Sequence, residues 1–377
     1  MRILFVATVQ SHIAQFHMGA FSLLKEYGWE IHVAARDNLK EKNGLKIDNA
    51  DKVFNIAFDR SPFSSKNIKA YKELKKVIDS GKYDAIHCNT PVGGLLARLA
   101  GKKARKNGTT MIYTAHGFHF YKGAPKKNWI IFYPIEKFLA HFTDKLITIT
   151  DEDYKLASEK FNSKIYHVHG VGIKSEKYDS VTDEQAKEFR AQRGCTDRFI
   201  ILCTGELNAN KNQCTLIKAM PEVLKKVPEA LLVLAGNGPK KNDLEALIKE
   251  LNLEESIRLI GYHADLEWYV HACDIVATAS FREGLPLNVV EAMYCNKPVI
   301  ASNNRGHREL ISDKITGRLV NPRSEMEFAR TIVEAYEHKE IYDIYAKKAK
   351  DKSYNYVDTN VKEELKEVYG ISMDMSE

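Results

Sequence analysis

Short apolar segments alternate with helical ones from residue 3 to about residue 168, and the alternation resumes near residue 199. In the first run, residues 3–8, 30–35, 53–57, 85–88, 110–113, 146–150 and 164–168 read as strands, apolar and rich in β-branched side chains. Between them, 16–27, 67–80 and 93–106 carry apolar residues at helical spacing, as in Ile68, Tyr71, Leu74 and Ile78. Gly28 and Gly81 sit where helix ends place glycine. In the second run, 199–203, 230–234, 257–259, 275–278 and 299–301 read as strands with helices between. Strands separated by helices pair in parallel, and such open sheets bind ligands at the carboxyl ends of their strands. The spacing predicts an α/β chain of two doubly wound domains, 1–174 and 175–354. The polar stretch 170–197 is the candidate linker, with a helix from about Asp183, and an amphipathic helix follows from 354 to 369.

A chain of 377 residues can bury two full cores. Its apolar runs fall short of a membrane span, and a strand beginning at once at residue 2 is not a leader peptide. Six cysteines without CxxC spacing read as reduced thiols, not as a zinc or disulfide frame. Residues 1–174 carry 28 Lys+Arg against 16 Asp+Glu, a net +12, while the rest of the chain carries −6. A basic first half points to an anionic partner such as a membrane surface. Its basic residues are not interleaved with strand aromatics as in single-strand binders, so nucleic acid is not the expected partner.

The richest stretch is 280–301, which reads as strand end, glycine turn, helix and next strand. Glu283-Gly284-Leu285 turns the chain, and Pro286 suits a first helical turn. Leu287, Asn288 and Val289 then offer backbone amides at a helix N-terminus, a ready anion site. Glu283 and Glu291 bracket them with acceptors for hydroxyl groups. This string resembles the Glu-x7-Glu motif of the family 4 retaining glycosyltransferases. The loop Gly205-Glu206-Leu207…Lys211 resembles that family's Gly-Arg-Leu…Lys loop, with Glu206 where arginine is usual. Arg282 or Arg305 could supply the missing charge.

The resemblance extends over nearly the whole chain. It implies the GT-B architecture, two Rossmann-like domains facing across a cleft, with the last helix (about 355–377) crossing back to the first domain. It implies that Lys211 contacts the diphosphate of a nucleotide sugar, that Glu283 holds the donor sugar, that Glu291 holds the ribose and that His116 touches the sugar. Gly236 and Gly238 resemble a loop beside the donor, and could contact phosphate or only turn the chain. Tyr262 could stack on the base or plug a crevice. On the acceptor side, the turn Asn89-Thr90-Pro91, the loop bearing His12 and the nearby His119 are candidates. His12 and His119 could equally be structural. His116 and His119 lack an evident third metal ligand. Asp151-Glu152-Asp153 opens a helix, where carboxylates cap free amides, and is read as a cap and not a metal site. No metal or other cofactor is expected, because helix dipole and lysine can meet the charge that develops on the leaving diphosphate.

Residues 122–145 mix lysines with Trp129, Ile130, Ile131, Phe132 and Tyr133, which suits an interfacial helix as well as a core one. The segment 115–125 resembles transferases of bacterial exopolysaccharide and capsule assembly. That implies UDP as the donor nucleotide, a hexose or N-acetylhexosamine moved to a lipid-diphosphate-linked saccharide, and a cytoplasmic enzyme peripheral on the inner face of the plasma membrane. A UDP-sugar epimerase of the same fold, acting without an acceptor, is the alternative.

Overall fold

The computed structural model describes residues 1–41 and 45–371; the expected helix beyond residue 371 lies outside them. The chain forms two compact units, Met1–Val171 with the C-terminal segment from Asp358, and Gly172–Val357. The sequence had placed these boundaries at 174/175 and 354/355.

The first unit runs β1 (Arg2–Val9), α1 (Gln10–Phe16), α2 (Met18–Glu26), β2 (Glu30–Arg36), β3 (Lys52–Asn55), α3 (Lys66–Gly81), β4 (Ala85–Asn89), α4 (Pro91–Ala100), α5 (Lys102–Lys106), β5 (Thr110–Ala115), α6 (Lys126–Ala140), β6 (Lys145–Thr148), α7 (Asp151–Lys160) and β7 (Lys164–His167). Its sheet is wholly parallel in the order β3-β2-β1-β4-β5-β6-β7. Helices cover both faces, so β1 is buried from Ile3 to Val9 and reads as one apolar run. α3 buries Ala70, Leu74 and Ile78, one stripe at four-residue spacing.

The second unit contributes α8 (Ser175–Asp179), α9 (Asp183–Gln192), β8 (Phe199–Thr204), α10 (Gln213–Leu224), β9 (Ala230–Ala235), α11 (Lys241–Glu250), β10 (Ile257–Gly261), α12 (Leu266–Ala272), β11 (Ile275–Thr278), α13 (Leu287–Tyr294), β12 (Val299–Ser302), α14 (Arg305–Leu310), β13 (Arg318–Val320), α15 (Glu325–Glu337) and α16 (Lys339–Ser353). Its parallel sheet has the order β10-β9-β8-β11-β12-β13. Strand order reverses between β1 and β4 in one unit and between β8 and β11 in the other, the switch points where doubly wound sheets hold ligands.

The last helix, α17 (Asp358–Tyr369), belongs to the first unit. Val361, Leu365, Val368 and Tyr369 are buried with Ile3, Phe5 and Phe21. The Tyr369 hydroxyl meets His87 Nδ1 at 2.9 Å, and Glu364 accepts from the His169 backbone and ring, at 2.8 and 2.6 Å.

Several expectations need correction. The loop expected after β1 is helical from Gln10, which places His12 on α1. The helix expected over 16–27 breaks at His17, and that over 93–106 breaks at Gly101, where a Cβ would lie 2.4 Å from Met111. The polar stretch 170–197 carries the expected helix from Asp183, α9, but is not otherwise a bare linker: α8 also lies within it, and Tyr178, Val181 and Cys195 are buried. The tail helix is interrupted by a 3-10 turn at Tyr354–Tyr356. β13, three residues long, was missed. Among the described residues no helix is long and apolar enough to cross a membrane.

Candidate active site

In the second unit the carboxyl-end loops of β8, β9, β11 and β12 build one another. Gly205 has φ +142 and Gly236 φ +148, and a Cβ on Gly236 would lie 2.0 Å from the Gly205 carbonyl oxygen. A Cβ on Gly238 would lie 2.3 Å from the Leu207 carbonyl oxygen. Backbone bonds join the loops: the amide of Gly205 donates to Ala235, that of Leu207 to Asn237 and that of Lys240 to Leu207, at 2.9, 3.0 and 2.9 Å. The glycines at 236 and 238 are therefore required by loop-on-loop packing.

That packing supports a tight turn. Asn208 Oδ1 accepts from the amides of Asn210 and Lys211, at 3.0 and 2.9 Å, and its amide nitrogen donates to Glu206 at 2.9 Å. Gln213 holds the Glu206 carbonyl at 3.1 Å. Lys211 folds back over Gly205, where a side chain would meet its Cε at 3.2 Å, and donates to Glu283 Oε1 at 2.7 Å. Both ends of this pair are largely sheltered, with 22% and 14% of the side chains exposed. The Asn210 side chain donates to the Arg282 carbonyl and its carbonyl accepts from Phe281, so the two loops share a backbone frame. Gly306 presses on the same turn: a Cβ there would lie 2.5 Å from the Gly284 carbonyl oxygen and 2.7 Å from Glu283 Cβ.

α13 begins beside this pair, with Pro286 as its N-cap. The Val289 amide already donates to the Pro286 carbonyl at 3.0 Å, a correction to the expected amide trio. The amides of Leu287 and Asn288 remain at the dipole end, while Leu285 and Leu287 pack on the core and Asn288 donates to the Thr204 carbonyl at 3.2 Å. Glu291, one turn further, is held by the Tyr178 hydroxyl; burial raises its carboxyl above the usual range against that bond. Arg282 is exposed and Arg305 half-buried on α14. Tyr262 is 67% exposed, which excludes the crevice-plug alternative.

His307, which the sequence did not single out, is fully buried below Glu283. Its Nδ1 lies 2.7 Å from the Ser302 carbonyl and so carries the hydrogen, while Nε2 is buried without a partner. Burial lowers its pKa to about 4. The sign follows: the folded state keeps the ring neutral, so its stabilising share is complete above the ordinary 6.5 and is lost as pH falls towards 4. Between about pH 7 and pH 5 this one ring is expected to cost about 2 kcal/mol of folding stability. Urea unfolding at the two pH values checks it, and His307→Gln should flatten the slope by that amount. An unchanged slope in the variant would remove His307 as the cause.

In the first unit the strand ends gather histidines. His116 follows β5 and His12 sits on α1, with Nε2 atoms 3.1 Å apart, and His116 Nε2 is 3.2 Å from Asn89 Oδ1. His17 joins them: ligating nitrogens of His12, His17 and His116 all lie within 4.8 Å of one another, one of the groups among the described residues that could hold a metal ion. Burial lowers all three, His12 to about 4, so neutral imidazoles face one another. The sequence missed the trio because His17 lies beyond a helix break that no glycine or proline announces. Thr90 is held at φ +64, and its hydroxyl accepts from the Thr8 amide at 3.0 Å. His119 is exposed, its ring 4.7 Å from Phe132. The 151–153 acids stand in the first turn of α7 and are not its cap, which is Thr150, whose hydroxyl accepts from the Asp153 amide at 3.4 Å; Asp153 and Glu152 hold the loop after β5, accepting from the Phe118 amide at 3.0 Å and the Lys122 amide at 2.6 Å.

Residues 185–352 match the family Glycosyl transferases group 1, and residues 2–150 match Glycosyl transferase 4-like. The chain is 39% identical to the EpsD protein of Bacillus subtilis (strain 168), over 99% of this chain and 97% of that one. It is 23% identical to the UDP-Gal:alpha-D-GlcNAc-diphosphoundecaprenol alpha-1,3-galactosyltransferase of Escherichia coli, over 92% and 89%. The fold is shared with Anabaena Alr3699/HepE, solved in complex with UDP and glucose, at a TM-score of 0.75 and 22% identity over 98% and 99% of the two chains. Two parallel α/β units and these matches place the chain among the family 4-like, group 1 glycosyltransferases of the GT-B fold.

Proposed function

We propose that this glycosyltransferase moves a hexose or N-acetylhexosamine, with retention of configuration, from a UDP-sugar to a lipid-diphosphate-linked saccharide in surface polysaccharide assembly. The carrying observation is the sheltered Lys211–Glu283 pair, 2.7 Å long, beside the amide end of α13. A departing diphosphate needs positive charge where its own charge develops, and lysine with helix-end amides supplies it without a bound cation. Glu283 then accepts from hydroxyls of the sugar and Glu291 from those of the ribose. His116, neutral, suits a hydrogen bond to a sugar hydroxyl. Arg282 and Arg305 are assigned the charge that Glu206 lacks.

The UDP reading draws support from the UDP-Gal donor named for the Escherichia coli relative and from the UDP held by HepE. The acceptor reading draws on that relative's diphosphoundecaprenol substrate. Such an acceptor places the enzyme at the inner face of the plasma membrane. The test is incubation with a panel of nucleotide sugars and a polyprenyl-diphosphate saccharide, with and without chelator. We expect transfer from a UDP-sugar, an α-linked product and no loss with chelator. No transfer from any UDP-sugar rejects the donor, a chelator-sensitive rate rejects metal independence, and turnover without acceptor favours an epimerase.

A further inference from the structure

α6 is built inside out. At about 3.6 residues per turn, Glu136 lies at the middle of its inward half. There it is bound by the fully buried Arg98, at 2.8 and 3.3 Å, whose guanidinium lies 3.8 Å from the Tyr113 ring centre. Trp129, Phe132 and Tyr133 pack inward beside it. The outward half carries Ile130, Ile131, Ile135 and Phe138, exposed by 74%, 46%, 44% and 56%. Between them stand Lys126, Lys127 and Lys137, also exposed. Glu136 is the single acid of the helix, so the outward half has none. Lys102 extends the pattern, with its amine 3.8 Å from the Phe142 ring centre and 5.9 Å from that of Phe138.

Apolar side chains ringed by lysines, with the acid turned in, match a bilayer of anionic headgroups: the side chains enter the acyl boundary and the amines meet the phosphates. A second copy of this chain would set these lysines against one another, whereas an anionic bilayer meets both the amines and the apolar side chains. We infer that the outward half of α6 is the surface by which the chain docks on anionic lipid. This rests on the reading of a lipid-linked acceptor and assigns the contact to one helix.

Flotation of the full chain with vesicles of phosphatidylcholine, alone or mixed with phosphatidylglycerol, tests it. Binding is expected with the anionic mixture alone, weakening with salt. Lys127→Gln with Lys137→Gln should lower the partition about thirtyfold. Ile131→Ser with Ile135→Ser should remove most of the remainder. All four positions face outward, so circular dichroism and transfer to a water-soluble acceptor analogue should match wild type. Wild type that fails to float with anionic vesicles overturns the inference, as do variants that float like wild type. A dimer in sedimentation, dissociated by the same variants with no flotation, also overturns it and assigns the face to a second copy. Intact flotation with no transfer to any acceptor would sink the acceptor reading and leave the docking surface standing.

Discussion

Glu283→Gln combined with Glu291→Gln is expected to lower kcat/KM by about two to four orders of magnitude while the protein stays folded. Each change removes a charged acceptor, and a hydrogen bond to a charged group is worth about 1.5–3 kcal/mol. Glutamine keeps the shape of both side chains. At 291 the carboxyl is already disfavoured by burial, so a neutral amide should not destabilise the unit. At 283 the partner Lys211 loses its 2.7 Å ion pair but keeps a hydrogen-bond acceptor. Thermal unfolding followed by circular dichroism should therefore stay close to wild type, and steady-state kinetics of the single variants should separate sugar binding from ribose binding. Undiminished turnover in the double variant would overturn the assigned roles.

Glu136→Ala is expected to cost about 3–5 kcal/mol of stability, the largest effect of any single change outside the site. Arg98 is 1% exposed and makes a two-pronged bond to Glu136, plus a bond from Nε to the Gly94 carbonyl at 2.9 Å. Removing the acid leaves a buried cation with one carbonyl and a ring face as company. Replacing both partners, as Arg98→Met with Glu136→Leu, should recover most of the loss, because the desolvation penalty disappears with the charges. Denaturant unfolding of the three proteins decides it; a single variant as stable as wild type would show that the pair does not anchor α6.

These cases mark how far the residues alone could be read. β8, β9 and β1 were legible because parallel strands covered on both faces become unbroken apolar runs. The 280–301 stretch was legible because turn, proline and helix start each have a local cause. α6 resisted because apolar residues occur all round it, so periodicity alone could not say which half faces out; the decision belongs to Arg98, a residue 38 positions from Glu136. For Gly236 and Gly238 the motif left phosphate contact and plain turn open, and their need is set by the carbonyls of Gly205 and Leu207 in another loop. β13 has three residues, two of them only half-buried, too few for any alternation to register. The histidine trio spans more than a hundred residues and closes only when α1 follows β1 without a loop.

The return of α17 to the first unit bears on synthesis. A ribosome releases the β1–β7 sheet with the bed of Val361, Leu365 and Val368 still empty, and must translate Gly172–Val357 before the covering helix emerges. At elongation speeds of about 5–20 residues per second that interval is about ten to forty seconds. During it Ile3, Phe5 and their neighbours lack their lid, while the uninterrupted second unit can fold as it appears. The early-born half of the nascent chain is thus the late-maturing one, and a premature stop before Asp358 leaves an apolar trough that chaperones and proteases can recognise.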